Sequence, residues 1–439
     1  MVAPSPAPRS DAASAVPAAA PAHAPAPAHL PDPAPAPKRA AALITVLGAL
    51  TAVAPLATDM YVPGFPTMGD SLHATSSSVQ LTMTAFLAGL VFGQLLFGPL
   101  SDSLGRRRLL ISGAVGFTVF SALCALAPNI ELLIGARFLQ GLTGAAGMVL
   151  ARAVITDRFH GADIPRYFAV LSQILGVAPV VAPVIGGAVL AVSTWQAVFV
   201  VLAVIGVALL LSVLAEVPES LPAGRRARGG VAASFRAMGT LLGTRAFMGY
   251  VCVLGFSGAA LFAYISGSSF VFESLHGVSS TTYSLIFATN AVGMLLAGAV
   301  FARLSRRLPL NTLLVAGVGV AALGALAQVL LVAGAGETLA GTWICLFVTM
   351  SGIGMIFPAT MSLGQTLGRG APGAASALMG GFQFTFGAVA SPLVGLFGED
   401  SSLPMALIML IALVGAGLSL AVLARPWRGD GEVTAHSRP

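Results

Sequence analysis

Twelve stretches of about 20 mostly apolar residues follow one another between Ala40 and Arg425, parted by short polar breaks. A helix needs about 20 such residues to cross the hydrocarbon core of a bilayer. Lipid admits only segments whose backbone polar groups are satisfied internally. The chain is therefore expected to be an all-α membrane protein with twelve transmembrane helices, its cores near 41–62, 78–99, 109–127, 131–153, 167–190, 195–215, 247–270, 282–302, 311–333, 340–362, 373–397 and 404–424. Of its 439 residues 56% are hydrophobic and 9% charged, against about 25% charged in soluble domains. The net charge of +6 is scattered along the chain, which excludes the clustered basic face of a nucleic-acid binder.

The polar breaks alternate in charge. Counting from the first, the even-numbered ones hold Arg106 to Arg108, then Arg158 and Arg166, then Arg225, Arg226, Arg228, Arg236 and Arg245, then Arg303, Arg306 and Arg307, then Arg369. The odd-numbered breaks contain no Lys or Arg and carry Asp70, Glu131, Glu273, Glu337, Glu399 and Asp400. Loops rich in Lys and Arg stay cytoplasmic, so both termini are expected in the cytosol. Residues 1–39, with eleven prolines before Lys38, have a composition that cannot bury a core and are expected to be a disordered cytoplasmic tail. Cys124, Cys252 and Cys345 each lie in an apolar run without pattern, which suggests neither a disulfide nor a metal site.

The longest internal break, 217–246, divides the rest into six-span halves, 40–216 and 247–425, with a short tail at 426–439. The halves are related. GPLSDSLGRRRLL at 98–110 and GAVFARLSRRLPL at 298–310 share Gly, Leu, Arg, Arg and Leu in register, and Ala182-Pro183-x-x-Gly186 is echoed by Ser391-Pro392-x-x-Gly395. Repeated halves of this kind characterise secondary transporters, with a central site between them and alternating access by rocking.

Several segments carry a family resemblance. Gly98-Pro-Leu-Ser-Asp102-Ser-Leu-Gly105-Arg106 resembles the loop signature between spans two and three of the major facilitator superfamily, with Ser103 where a basic residue is usual. Leu133-x-x-x-Arg137-x-x-Gln140-Gly141 resembles its span-four motif. Ala182-Pro183-Val-Ile-Gly186-Gly187 is similar to the antiporter motif of span five, with Ala182 replacing a glycine. Leu56-Ala-Thr-Asp59-Met-Tyr61-Val-Pro63 and Tyr264-Ile-Ser-Gly-Ser268-Ser-Phe270-Val resemble segments of the Bcr/CflA-type drug:proton antiporters. The resemblance implies two pseudo-symmetric six-helix bundles in a bacterial cytoplasmic membrane. It also implies a monomer that exports small drug-like compounds against protons, with the proton gradient as energy source and no cofactor. Export of an endogenous metabolite, such as an amino acid or a self-made antibiotic, is the alternative substrate reading.

Asp59 is the one acidic residue within a span rather than at its end. An ionised Asp at mid-bilayer costs roughly 2.5–3.5 kcal/mol, and such residues mark ion pathways. The competing reading places Asp59 at the outer interface, capping the helix ahead of Pro63. From Lys38 to Asp59 is 21 residues, about 31 Å of helix, so depth leaves both open. Arg137 lies six residues past Glu131, about 9 Å in, and needs a partner. It is expected to pair with Asp59 in one state and release it in another, or else to bond backbone carbonyls. Arg152, near the inner end of the same span, reads as an interface anchor.

Tyr61, Gln140, Gln173, Tyr264, Asn290 and Gln383, with Gln365, are candidate substrate-cavity residues, each open to the alternative of bonding a neighbouring helix. Phe86, Phe92, Phe256, Phe262, Phe357 and Phe384 are candidates for an apolar cavity wall. The resemblance implies that the loop holding Gly98, Asp102, Gly105 and Arg106 gates the inner ends of the helices. Pro183, Gly186 and Gly187 read as a kink with close helix contact. No lysine follows Lys38 and neither HExxH nor GxSxG occurs, so neither a Walker A nucleotide site nor a hydrolase or metal constellation is visible and the chain is expected not to be an enzyme.

Overall fold

A computed structural model of the chain describes residues 1–2, 37–159, 163–222, 230–397 and 401–432. Most of the expected tail (3–36), the middle of the expected linker and residues 433–439 lie outside the described residues. Among the described residues there are fourteen α-helices and no strand. In chain order they are α1 (Pro37–Asp59), α2 (Phe65–Leu72), α3 (Ser76–Leu104), α4 (Arg106–Ala125), α5 (Ile130–Arg158), α6 (Asp163–Leu190), α7 (Trp195–Glu216), α8 (Gly230–Leu242), α9 (Arg245–Ser269), α10 (Ser280–Leu304), α11 (Leu310–Ala335), α12 (Leu339–Leu367), α13 (Pro372–Leu396) and α14 (Leu403–Ser419). All but the short α8 belong to twelve segments long and apolar enough to cross a membrane, the first of which, Arg39–Leu72, joins α1 and the short α2.

Two differences from the sequence reading are local. The first polar break contains α2, whose Phe65 and Met68 are buried. The expected linker contains α8, whose Met238 and Leu241 pack against a cluster including Phe247, Leu378 and Met379. Both were hidden because eight to thirteen residues with a mixed polar face carry no spanning signal.

Helix ends follow from side chains that satisfy the first orphan amides. Thr75 accepts from the Ser78 amide at 3.3 Å, Asn129 from Leu132 at 2.9 Å and Ser279 from Thr282 at 3.2 Å. All three caps sit in acidic or neutral breaks, where the chain turns back within a few residues. On the opposite side Gly105, at φ 99°, makes the turn from α3 to α4 in a region that side chains other than glycine rarely enter.

The packing repeats between the halves. In the first, α3 packs on α5, α4 on α5 and α7, and α1 on α5, α6 and α7. In the second, α10 packs on α12, α11 on α12 and α14, and α9 on α12, α13 and α14. Each pairing in one half has its counterpart in the other, giving two pseudo-symmetric six-helix bundles. The main contacts between bundles are α3 with α13 and α6 with α10, which exchange under the same correspondence. Leu296, Leu323, Ile344 and Ile411 are exposed on the outside, as a lipid-facing surface requires.

Small residues allow the tightest of these packings. A Cβ on Gly141 of α5 would collide with the Phe86 carbonyl oxygen of α3, and one on Gly89 would lie 2.7 Å from the Leu142 amide. Gly141→Ala is expected to lower the melting temperature of the purified protein by overpacking worth about 1–3 kcal/mol. Gly135, on the same helix, has nothing within 4 Å of an added Cβ. Gly135→Ala is expected to be neutral or stabilising, because Ala exceeds Gly by about 1 kcal/mol in helices. Thermal unfolding of both variants checks the contrast; equal melting temperatures contradict the close approach.

Candidate functional site

A cavity of about 430 Å³ lies between the two bundles. It is walled by residues of α1, α3, α5 and α6 from one half and α9, α10, α12 and α13 from the other. The wall is mainly apolar. Phe262, Phe287, Phe357 and Phe384 supply rings, and Met148, Met294, Met350 and Met361 supply flexible thioethers that adapt to differently shaped partners. Polar groups are few: Thr58, Asp59, Gln94, Arg152, Tyr264, Asn290 and Gln383.

Asp59 ends α1 and is 2% exposed. Its Oδ1 has no hydrogen-bond partner, and it makes no ion pair among the described residues. The neighbouring Thr58 hydroxyl turns back to the carbonyls of Ala54 and Pro55, both at 3.1 Å. Across the cavity the Asn290 amide donates to the Tyr264 hydroxyl at 3.0 Å, and the Tyr264 ring stacks on Phe287 with centroids 5.1 Å apart. The Asn290 Oδ1 is buried without a partner. Of the expected cavity residues, Tyr264, Asn290 and Gln383 therefore share one wall system with Asp59.

Three others do not. Arg137 is fully buried inside the first half, and the expected ion pair with Asp59 is not formed. Its guanidinium lies 4.2 Å from the ring centroids of both Tyr61 and Phe86, and its Nη1 donates to Gln140 Oε1 at 2.6 Å. Gln140 in turn donates to Ser121 at 2.7 Å, and Tyr61 meets Thr82 at 3.2 Å. Tyr61 and Gln140 are thus partners of a buried cation rather than cavity residues. Cation–π attraction strengthens when the cation is desolvated, which accounts for an arginine held without a carboxylate. Gln173 is exposed on α6 and lines no cavity described here. Among the expected wall phenylalanines, Phe86 belongs to the Arg137 cage, Phe92 is exposed, and Phe256 meets Phe386 edge to face.

Among the described residues the cavity continues toward the arginine-bearing end. A second space of about 850 Å³ shares Gln94, Met148, Arg152, Leu175 and Met361 with it and runs to Gly98, Arg106, Thr156 and Gln365 at the arginine-bearing end. At the acidic end Tyr61, Val62 and Phe65 are fully buried, and Phe65 approaches Phe270 of the other half with centroids 6.0 Å apart. A polar seam closes this end between α3, α9 and α13. Gln80 accepts from the Gly395 amide at 2.8 Å and donates to the Ser266 carbonyl at 3.3 Å. Thr84 donates to the Ala388 carbonyl at 2.8 Å, and Ser266 to the Ser391 carbonyl at 3.2 Å. Gln80 in the seam and Gln94 on the cavity wall are intramembrane amides with the same sequence signal as Gln140 and Gln383.

The motif segments fall around this frame. Arg106 reaches Asp157 of α5 at 3.1 Å, its amide donates to Glu219 at 2.9 Å, and its guanidinium touches Ser101. Arg107 donates to the Leu214 and Val217 carbonyls at 2.9 and 2.8 Å, where α7 ends. These contacts join the first half to itself and to the first residues of the linker, Val217 and Glu219. The Asp102 side chain lies outside the described residues. Asp157 and Glu219 had as their only signal an acidic residue in an otherwise basic break. In α6, a Cβ on Gly186 would collide with the Met60 carbonyl oxygen and one on Gly187 with Ser284 of α10. With Pro183 kinking the helix, α6 is wedged between the end of α1 and the second half, beside Asp59.

A family model described as Major Facilitator Superfamily matches residues 47–392. The chain is 39% identical over 386 residues to an uncharacterized MFS-type transporter, YdgK, of Bacillus subtilis, covering 88% of this chain and 96% of that one. It is 28% identical over 396 residues to a bicyclomycin resistance protein homolog of Haemophilus influenzae, covering 87% and 94%. Its fold matches a solved bacterial homolog of the human lysosomal transporter Spinster, in an inward-facing and unoccupied conformation, with a TM-score of 0.68 at 14% identity, covering 91% of this chain and 100% of that one.

The seam generates a test. Gln80→Ala removes two inter-bundle bonds, worth about 1 kcal/mol each, which is roughly tenfold or more in the population of states with the acidic end open. A cysteine replacing buried Val394, beside Gln80 and Gly395, in a background without the three native cysteines, is expected to react with a water-soluble maleimide about tenfold faster when Gln80→Ala is present. An unchanged rate contradicts a closing role for the seam.

Proposed function

The chain belongs to the Major Facilitator Superfamily, and from that membership we propose that it is a proton-coupled exporter of small, partly apolar, drug-like compounds working by alternating access. The observation that carries the proposal is Asp59: a buried carboxylate with an unpartnered oxygen on the wall of an aromatic and methionine-rich cavity between the bundles. An ionised carboxylate in such surroundings carries a desolvation cost that either a proton or a polar group of a substrate relieves. Two ligands that relieve the same cost at the same atom compete, and that competition couples their movements.

The arrangement supports a cycle. By the charge of its loops the arginine-bearing end faces the cytoplasm, with both termini there, and the open cavity then receives substrate from inside the cell. Release of the proton from Asp59 to the cytoplasm accompanies substrate binding. Parting of the α3, α9 and α13 seam exposes the cavity to the outside, where a proton displaces the substrate and drives the return. One proton crossing about 100 mV supplies about 2.3 kcal/mol, enough for roughly a fifty-fold substrate gradient. The chain acts as a monomer in a bacterial inner membrane, without a cofactor. The resistance function named for the Haemophilus relative and the apolar, adaptable wall both favour drug-like compounds over small hydrophilic metabolites.

Asp59→Asn keeps the shape of the side chain and removes its exchangeable proton. In inverted membrane vesicles it is expected to abolish drug-induced proton release and to reduce uncoupler-sensitive efflux to background, while the purified variant still melts cooperatively. Efflux unchanged in rate and in uncoupler sensitivity contradicts the assignment.

A further inference from the structure

Arg152 was expected to anchor the interface, but it lies on the wall shared by the central cavity and the space at the arginine-bearing end. It makes no hydrogen bond or ion pair among the described residues, in contrast to Arg106, which is held by Asp157. Gln94 shares the same lip, and its Nε2 is a buried donor without an acceptor. The other polar side chains there are occupied or are donors themselves: Gln365 donates to Ser376 at 2.7 Å and Thr156 to the Ala153 carbonyl at 2.8 Å. Among the described lining residues of both spaces the only carboxylate is Asp59, deeper in. The lip therefore presents a guanidinium fork and an amide N–H with nothing to receive them. Arg152 is half-buried, a cation without a protein partner in a membrane cavity is costly, and a planar fork fits a carboxylate in bidentate fashion.

We propose that Arg152 and Gln94 form an anion-recognising subsite of the transport cavity, so that the preferred substrates are zwitterions: an apolar body with a carboxylate held at Arg152 and an amine directed to Asp59. The inference rests on reading the cavity as the substrate pathway. One carboxylate and one guanidinium, both unpaired, make a cavity of zero net charge whose two poles are separated along the entry path. A ligand with both charges leaves neither pole bare, whereas a cation or an anion leaves one.

The test uses the full chain in phosphatidylcholine nanodiscs, which keeps anionic lipid away from Arg152. Three fluorescent probes share one aromatic body: 2-naphthylalanine (a zwitterion), its methyl ester (a cation) and 3-(2-naphthyl)propionate (an anion). The wild type is expected to bind the zwitterion roughly tenfold more tightly than either of the others. Arg152→Gln is expected to erase the preference over the ester, Arg152→Lys to keep part of it because the charge remains without the fork, and Gln94→Leu to weaken it. Equal binding of zwitterion and ester by the wild type, or a ratio unchanged in Arg152→Gln, overturns the proposal and leaves Arg152 as an anchor. Absence of binding by all three probes overturns it as well. The reading of Asp59 is judged separately by the vesicle assay on Asp59→Asn, so that loss of the zwitterion preference with proton-coupled efflux intact overturns this proposal and leaves that reading standing.

Discussion

In hydrocarbon a polar group without a partner costs several kcal/mol, and that cost sorts the polar side chains of this protein by role. Thr51, Ser121, Thr349 and Thr360 return their hydroxyls to a backbone carbonyl one turn back on their own helices. Gln80 and Thr84 spend their bonding on the opposite bundle. Asp59 Oδ1, Asn290 Oδ1 and Gln94 Nε2 have no partner, and all three residues line the central cavity. Satisfied groups hold helices together; unsatisfied groups on a cavity wall are available to something that enters it.

The Arg137 cage belongs to neither set entirely, since its Nε and Nη2 are also unpartnered. A fully buried guanidinium between two aromatic rings trades hydration for the negative faces of those rings and one charge-assisted bond to Gln140. Tyr61, one wall of that cage, lies two residues past Asp59. The cage therefore grips the same turn of chain that presents the carboxylate, so any displacement of that turn moves both together. Gly186, pressed against the Met60 carbonyl, grips it from the other side. In this arrangement Arg137 and Asp59 are linked through a shared turn of chain and form no ion pair.

The number of spans was legible because twenty apolar residues in a row have one outcome in a membrane, and the repeated halves because Gly98 to Leu110 and Gly298 to Leu310 still align. The pairing of helices followed from neither; it became visible in the contacts, where the main pairs in one bundle have counterparts in the other. Asp59, Tyr264, Asn290 and Gln383 were legible as intramembrane polar residues, but the same signal also picked out Gln140 and Gln173. Hydropathy reports depth along a helix and not the direction in which a side chain points. Arg137 and Asp59 have comparable depths, yet one faces the interior of the first bundle and the other the cleft. Arg152 carries the same ambiguity, its position near a helix end being compatible with either the lipid interface or the cavity mouth that its side chain lines.

The pseudo-two-fold relation also constrains how the cavity can change sides. At the acidic end the turn after α1 meets α9 and α10, while at the arginine-bearing end α5 and α12 face each other across open space at Met148, Arg152, Met361 and Gln365. The same correspondence pairs α1 with α9 and α5 with α12. In the proposed cycle an inverted state requires the α1 and α9 ends and the Gln80 end of the α3–α13 contact to part and α5 to close on α12, with the rest of the α3–α13 contact and the α6–α10 contact serving as the surfaces about which the bundles rock. Closing α5 on α12 moves Arg152 toward an apolar and amide wall that offers no carboxylate among the described residues. An unpaired guanidinium resists that burial, whereas one carrying a substrate carboxylate does not. On the proposed subsite, occupancy of the lip lowers the barrier to closure for loaded over empty transporter, which is the bias the proposed export cycle needs to avoid futile turnover.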